Sequence, residues 1–166
     1  MSNRKYAEGT RVSASRSLDE LRVLLRARGA GRVVIDDNPD EGHVAVLFQR
    51  AERAYRISVP IPSTKDRAFT HTPELGRQRD PAGRAKAYND EIMRRHRSLL
   101  MHVKAKLIAV DDGIVTFERE FMVHLVMPTG DTLGEFMEPR IADAVAMGQL
   151  PSLAKKALLL PSPEAS

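Results

Sequence analysis

The sequence contains no cysteine and no tryptophan, and aromatic side chains make up only 5% of its 166 residues. Without thiols, the protein can form no disulfide, zinc–thiolate site or iron–sulfur cluster, and it has no cysteine nucleophile. No window reaches the ~18 consecutive apolar residues that a transmembrane helix needs. The charged start of the chain, from Met1 to Tyr6, lacks the apolar segment of a secretory signal. We therefore expect a cytoplasmic protein that does not enter a membrane.

Motifs of the common enzyme classes are missing as well. No glutamate is followed two residues later by a lysine, and the chain has neither a Gly-x-Ser-x-Gly elbow nor a glycine-rich phosphate loop before a helix. The five histidines include no HExxH motif and no pair spaced by four residues. His96 falls near the apolar stripe of a long helix, which predicts a packed core residue. We predict no catalytic residue and no cofactor.

Neighbouring carboxylates are the feature that leaves an enzyme open. Such pairs can hold a hard cation, although turns and helix caps account for the aspartates more simply. The pairs are Asp36 with Asp37, Asp40 with Glu41, Asp111 with Asp112, and Glu118 with Glu120. A metal-dependent enzyme built on them is our third hypothesis, although we predict no metal site.

The first half of the chain predicts one helix and three strands. Ser17 and Glu20 have the spacing of a capping box, leucines follow at helical spacing, and Gly29 can end the helix, so we predict a helix over residues 17–28. An apolar run at 33–35 predicts the first strand. Alternation at positions 44, 46, 48 and at 55, 57, 59 predicts two more strands, each with one buried and one exposed face.

A long basic helix is predicted over residues 81–110, with Asp80 as its N-cap and Pro81 in its first turn. Its cations flank an apolar stripe, where long stems cover the core and charged heads reach water. They are Arg84, Lys86, Arg94, Arg95, Arg97, Lys104 and Lys106, opposed within the helix only by Asp90 and Glu91. The loop over residues 60–80 before this helix adds Lys65, Arg67, Arg77 and Arg79. A loop of that length is either functional or a mobile linker.

The C-terminal part predicts short helices. Thr116 can cap a helix that runs to about His124, and a second capping box at 132–135 begins a helix that ends at Gly148 with a kink at Pro139. We therefore predict an α+β fold: an N-terminal helix, a three-stranded antiparallel sheet, a long basic helix and short C-terminal helices. The expected organisation is an N-terminal arm over 1–16, a single domain over 17–150 and a flexible tail over 151–166.

Two resemblances follow from these patterns. The order helix, three strands, helix, with Gly42-His43 before the second strand, resembles the topology of the double-stranded-RNA-binding domain, from which the long loop and long helix depart. A closer one covers most of residues 6–150. Its residues are Tyr6-Ala7, Thr10, Val12, Ser17, Glu20-Leu21, Leu24-Leu25, Gly29-Ala30, Lys104-Ala105-Lys106-Leu107, Gly113-Ile114, Phe117-Glu118, Glu120-Phe121 and Pro128. They resemble a family of small uncharacterised proteins encoded by phages and prophages of GC-rich bacteria. This resemblance implies a phage protein acting in the host cytoplasm.

The net charge of +4 favours a polyanionic partner. Our first hypothesis is a non-catalytic nucleic-acid-binding accessory protein, with DNA favoured over RNA. Its predicted phosphate contacts are Arg94, Arg95, Arg97, Lys104, Lys106, Lys65, Arg67, Arg77, Arg79 and Arg56. Because aromatics are few, we expect contact with the backbone rather than base stacking. The second hypothesis is a protein–protein module, an inhibitor or adaptor of a host or phage protein, with a homodimer left open.

Overall fold

A helix, a three-stranded sheet and a long second helix follow one another in the computed structural model, which describes residues 14–148. The elements are α1 (Ala14–Arg26), β1 (Val33–Asn38), β2 (His43–Arg50), β3 (Arg53–Pro60), α2 (Arg67–Thr70), α3 (Pro81–Asp111), α4 (Phe117–Glu120), a 3-10 helix (Met122–His124) and α5 (Leu133–Ala146). The predicted α+β class and order of elements are confirmed. The predicted tail over 151–166 and most of the predicted arm lie outside the described residues. Within 14–148, no helix is long and apolar enough to cross a membrane.

The start of α1 differs from the prediction. The helix begins at Ala14, so Ser17 lies inside it rather than at its N-cap. The Ser17 side chain is fully buried, and its hydroxyl has no hydrogen-bond partner among the described residues. The capping box predicted at 17–20 is therefore wrong, because an earlier helix start leaves Ser17 facing the core. Gly29 has the predicted left-handed conformation, with φ +85, although α1 ends at Arg26 rather than at residue 28; the Ala30 amide donates to the Leu25 carbonyl at 3.2 Å.

The sheet has the order β1-β2-β3 with antiparallel pairing throughout. In its register Ile35 stands opposite Val46, which in turn stands opposite Ile57, so the apolar positions of all three strands share one face. The turn between β2 and β3 has two non-glycine residues with positive φ, Ala51 and Glu52. Among the described residues, β1 pairs only with β2, and its other edge pairs with no strand.

The core lies between the apolar face of the sheet and the helices α1 and α3. Glu20 pairs with Arg97 and Arg28 pairs with Asp111, so α1 and α3 lie side by side and run in the same direction. The α3 side chains that reach the core include Leu99, Leu100, Val103 and Leu107. Four aromatic rings of this core pack against one another, and they come from β2, β3 and the α4 region: Phe48, Tyr55, Phe117 and Phe121.

The caps of α3 and α5 agree with their predicted starts. Asp80 Oδ1 accepts the Gly83 amide at 2.7 Å, and Pro81 follows it at the first helical position. Thr132 and Glu135 form a reciprocal capping box at the start of α5, with distances of 3.3 and 2.7 Å. No side chain of α5 is fully buried, and Pro139 lies within it. The predicted helix to His124 is divided into α4 and the 3-10 helix.

Candidate nucleic-acid interface

The predicted cations of α3 are mostly engaged by carboxylates of the same chain. Arg94 Nε and Arg95 Nε lie 2.7 and 2.8 Å from the two carboxylate oxygens of Glu91. Burial acts to raise the pKa of Glu91, but hydrogen bonds from both arginines and their charges outweigh it and lower the pKa to about 2. The two guanidinium groups therefore share one ionised carboxylate.

Two further cations of α3 reach acidic residues of other elements. Arg97 pairs with Glu20 of α1 at 3.4 Å. Lys106 Nζ is 2.9 Å from Glu120 Oε1, donates to the Glu120 carbonyl, and has a side chain only 16% exposed. Lys104 is half-buried and makes no ion pair with a described carboxylate.

Arg56, predicted to lie on the exposed face of the sheet, does so but is engaged as well. Its guanidinium donates to the Gly130 carbonyl at 3.0 Å and to the Glu135 carboxylate at 2.6 Å. It thereby fastens the start of α5 to β3. We conclude that Arg56 has a structural contact to break before it could meet a phosphate.

The cations of the loop over residues 61–80 have a different environment. Lys65, Arg67 and Arg77 are exposed and form no ion pair with a described carboxylate. Arg79 Nε donates to the His71 carbonyl at 3.2 Å, and Arg84 Nε, in the first turns of α3, donates to the Arg79 carbonyl at 3.0 Å. A neutral carbonyl orients a guanidinium without cancelling its charge, and the other nitrogens stay available to an anion.

The same loop is ordered rather than a linker without structure. Phe69 of α2 is buried and packs edge-to-face on Tyr88 of α3, with ring centroids 5.5 Å apart. Beyond α2 the chain folds back on itself, because His71 and Gln78 form an antiparallel bridge and Arg79 donates its amide to the Thr70 carbonyl at 2.8 Å. A guanidinium nitrogen of Arg67 lies 3.7 Å from the position of a Cβ on Gly76, near the tip of this hairpin-like loop.

Carboxylates in the last residues of β1 and in the turn that follows it border this end of the molecule. Of these, Asp36 is 3.0 Å from His43 Nε2, and Asp37 is 3.3 Å from Nε2 of the fully buried His96. Burial, followed by the charges of Asp37 and Asp40, raises the pKa of the Tyr88 hydroxyl. The prediction that His96 is a packed core residue is confirmed, although its Nδ1 has no partner among the described residues. These carboxylates limit how far a polyanion can extend from the loop toward β1.

Sequence reasoning did not single out the exposed arginines at the opposite end of the sheet. Arg26, Arg32, Arg53 and Arg119 are exposed and form no ion pair with a described carboxylate. Arg32 lines a shallow depression of about 450 Å³ on the outer face of the sheet. These arginines lie in different elements or turns, and Arg26 and Arg32 share the segment 22–32 with Arg22 and Arg28, so the charge of that segment was a local signal that could have revealed part of this group.

A second cluster of titratable groups lies where α3 meets the 3-10 helix. The rings of His102 and His124 are perpendicular, with centroids 6.1 Å apart. Burial, the charge of Lys106 and the nearby His102 lower the pKa of His124 to about 4, against the opposing effect of Glu120. Burial and Lys106 lower the pKa of His102 in the same way. Both rings are therefore neutral near pH 7.

None of the acidic pairs gathers a third ligand. Within residues 14–148, no three side chains from His, Asp and Glu are placed to share a metal ion. Asp36 and Asp111 pair with His43 and Arg28, and Glu118 and Glu120 pair with Arg50 and Lys106. The arrangement therefore offers exposed cations on an ordered loop as its clearest chemical feature.

Comparisons of the chain with models of protein families, with curated proteins and with solved structures found no match. The resemblance to phage proteins thus stays a prediction, and the candidate interface depends on the geometry alone.

Proposed function

We propose that this chain is a non-catalytic nucleic-acid-binding accessory protein that contacts phosphates through the loop over residues 61–80 and the first turns of α3. One observation carries the proposal: Lys65, Arg67 and Arg77 are exposed on an ordered loop and pair with no carboxylate of residues 14–148, while most predicted cations of α3 are paired within that part of the chain. Phage origin and action in the host cytoplasm belong to the same proposal, and they rest on the family resemblance. DNA is favoured over RNA.

The difference between paired and unpaired cations has a direct energetic consequence. A cation that already contacts a carboxylate must give up that contact, or share it, before it binds a phosphate, so part of the binding energy is lost. An unpaired cation gives up only water, and its contact with a phosphate displaces counterions condensed on the nucleic acid, a release that drives most nonspecific binding. The loop cations are therefore the stronger candidates, with Arg79 and Arg84 oriented behind them by backbone carbonyls.

A charge-matched pair of variants tests the proposal. In the first, Lys65, Arg67 and Arg77 are all changed to Gln; in the second, Arg26, Arg53 and Arg119 are changed to Gln. Each variant loses three exposed positive charges, and the second set lies at the opposite end of the sheet. Fluorescence anisotropy with labelled DNA and RNA at several salt concentrations gives the affinity and its salt dependence.

We expect the loop variant to lower the slope of log K against log salt by about two to three units, because each phosphate contact contributes about 0.9. The matched variant should change the slope by less than about one unit. Equal effects of both variants would reject the loop as the site and leave only a diffuse attraction. If the unaltered protein binds no nucleic acid at low salt, the proposal fails, and a protein–protein module becomes the favoured function.

A further inference from the structure

The burial of the aromatic side chains indicates which form of nucleic acid the loop can bind. The chain has three tyrosines, five phenylalanines and no tryptophan. Four of these rings, Phe48, Tyr55, Phe117 and Phe121, are buried and stack on or meet the edges of one another. Their faces are inside the core, on the side of the sheet that the helices cover.

The remaining rings within residues 14–148 are engaged too. Phe69 is buried and packs edge-to-face on Tyr88, which is half-buried and faces the core. The guanidinium of Arg140 lies 3.7 Å from the ring centroid of half-buried Phe136 and covers its face. Outside the described residues the sequence has one further aromatic, Tyr6. The described surface thus has no open aromatic platform, at the loop or elsewhere.

Single-stranded nucleic acid is bound without sequence preference mainly by two contributions, a cationic groove and bases stacked on aromatic rings. The loop over residues 61–80 offers only the first. A duplex needs no stacking platform, because its bases already stack on each other and its phosphates lie at higher charge density, about one per 1.7 Å of helix axis. Each phosphate contact consequently releases more counterion from a duplex than from a single strand.

We infer that the loop surface binds duplex nucleic acid in preference to single strands, through phosphates and with little regard to base sequence. This inference rests on the proposed function and specifies the form of its ligand. The loop geometry supports it: the Phe69–Tyr88 contact and the His71–Gln78 bridge hold the backbone that carries these cations on one end of α3. The shared chemistry is the phosphate backbone of a duplex, whether of DNA or of RNA.

The test uses the full chain and four probes of about 20 nucleotides: duplex DNA, duplex RNA, a mixed-sequence single strand, and the same single strand with several abasic sites. The slope of log K against log salt is about 0.9 per phosphate contact for a duplex and about 0.7 for a single strand. If four cations make contact, the slopes differ by about 0.8, which predicts about tenfold tighter binding of the duplex at about 50 mM salt. The two single strands should bind equally, because no base stacks on the protein. The duplex arms distinguish DNA from RNA.

Two controls keep the result interpretable. The loop variant with Lys65, Arg67 and Arg77 changed to Gln should lose the duplex preference, and Tyr6→Ala should leave single-strand affinity unchanged. A single strand that binds as tightly as the duplex overturns the inference but leaves the proposed function standing, as does a loss of affinity at abasic sites that exceeds about threefold. Failure of all four probes to bind overturns the proposed function itself.

Discussion

Single side chains set how much of the positive charge of α3 is available to solvent, and Glu91 has the largest effect. Its carboxylate is only 15% exposed and accepts hydrogen bonds from Arg94 and Arg95. Because its pKa is lowered to about 2, it stays ionised at neutral and mildly acidic pH. Two arginines that look free in the sequence are thereby fixed on the surface of their own helix.

Glu91→Gln should lower the free energy of unfolding at pH 7 by about 1–3 kcal/mol, because it removes the carboxylate that two partly buried guanidinium groups share. Asp90→Asn is the matched control: Asp90 pairs with the well-exposed Lys86, and such surface pairs contribute about 1 kcal/mol or less. Urea unfolding at several pH values measures both variants. The difference between wild type and Glu91→Gln should be fully present above about pH 4.5 and shrink as the pH falls toward 2. A difference that does not change with pH would contradict the ionic origin of the effect.

His124 should also make the stability of the protein depend on pH, in a higher pH range than Glu91 and through burial rather than through an ion pair. Its pKa falls from 6.5 to about 4, chiefly through burial, so the folded state resists a proton that the unfolded state accepts. Stability from this residue is therefore present above about pH 6.5 and is lost as the pH falls toward 4. After allowance for solvent screening, the loss should be about 1–2 kcal/mol. In His124→Gln this part of the decline between pH 7 and pH 4 should be missing, as measured by urea unfolding.

His43 serves as the control, because the hydrogen bond with Asp36 raises its pKa. Its contribution is largest at low pH and fades as the pH rises, so His43→Gln should steepen the decline on acidification rather than remove part of it. If the two histidine variants respond alike, the burial of His124 does not govern the pH dependence.

Residue patterns alone could predict some local structure but not all of it. The spacing at Thr132 and Glu135 is the same as at Ser17 and Glu20, yet only the first is a capping box. Both pairs satisfy the local requirement, a hydroxyl three residues before a carboxylate. The outcome depends on what precedes them: a turn comes before Thr132, while α1 already begins at Ala14 and carries Ser17 into the core.

At the scale of elements, the loop over residues 61–80 keeps its shape through a small set of contacts. Phe69, in α2, is its one buried aromatic side chain and packs on the Tyr88 ring of α3. Phe69→Ala should release the loop from α3 without unfolding the sheet, because the main core is formed by α1, α3 and the three strands. Loop cations that are released in this way lose their fixed spacing.

Limited trypsin digestion followed by mass spectrometry measures this release. In Phe69→Ala, the first cuts should move to Lys65, Arg67, Arg77 and Arg79 and become at least about tenfold faster, since proteolysis follows local opening. Leu75→Ala is the control, because Leu75 is 69% exposed and contributes little packing. An unchanged cleavage pattern in Phe69→Ala would show that the loop is held by other contacts.

The elements themselves were largely predictable, and the placement of their charges was not. The apolar run at 33–35, the period-two alternation of the next two strands and the helical apolar spacing are local signals, and they identified the three strands and α3, although β1 continues to Asn38. The partners of the α3 cations are non-local: Glu20 lies 77 residues from Arg97, and Glu120 lies 14 residues from Lys106. Only the packing of α1 and α4 against α3 brings these carboxylates to the cations. The predicted contacts lay on both α3 and the loop, and the pairing of most α3 cations leaves the loop as the stronger candidate.

At the scale of the whole molecule, stability is distributed unevenly between α3 and α5. The apolar side chains in the middle of α3 are buried against α1 and the sheet. In the second half of α5, by contrast, the apolar side chains of Ile141 and Val145 are exposed. A helical segment of that length without packing has little stability of its own. Native-state hydrogen exchange should therefore find the amides of residues 140–146 exchanging at least about a thousandfold faster than those of residues 99–107.

Thr132→Ala removes the cap of α5 and should accelerate exchange in α5 alone, which serves as the internal check. Comparable protection in the two helices would mean that the second half of α5 is covered in solution. In that case the exposed apolar side chains mark a contact, and size-exclusion chromatography with light scattering would reveal whether it joins two chains.

The unpaired edge of β1 has a consequence for how the protein behaves at high concentration. An edge strand presents free amides and carbonyls to any other extended chain, and such edges seed aggregation unless something opposes it. In β1 the apolar positions Val34 and Ile35 are followed at once by Asp36 and Asp37. A second molecule that added a strand here would bring its own aspartates or its apolar residues against these two exposed carboxylates and would remove their charges from water. We therefore expect Asp36 and Asp37, which have no part in the proposed binding surface, to oppose the pairing of β1 with the edge strand of a second molecule.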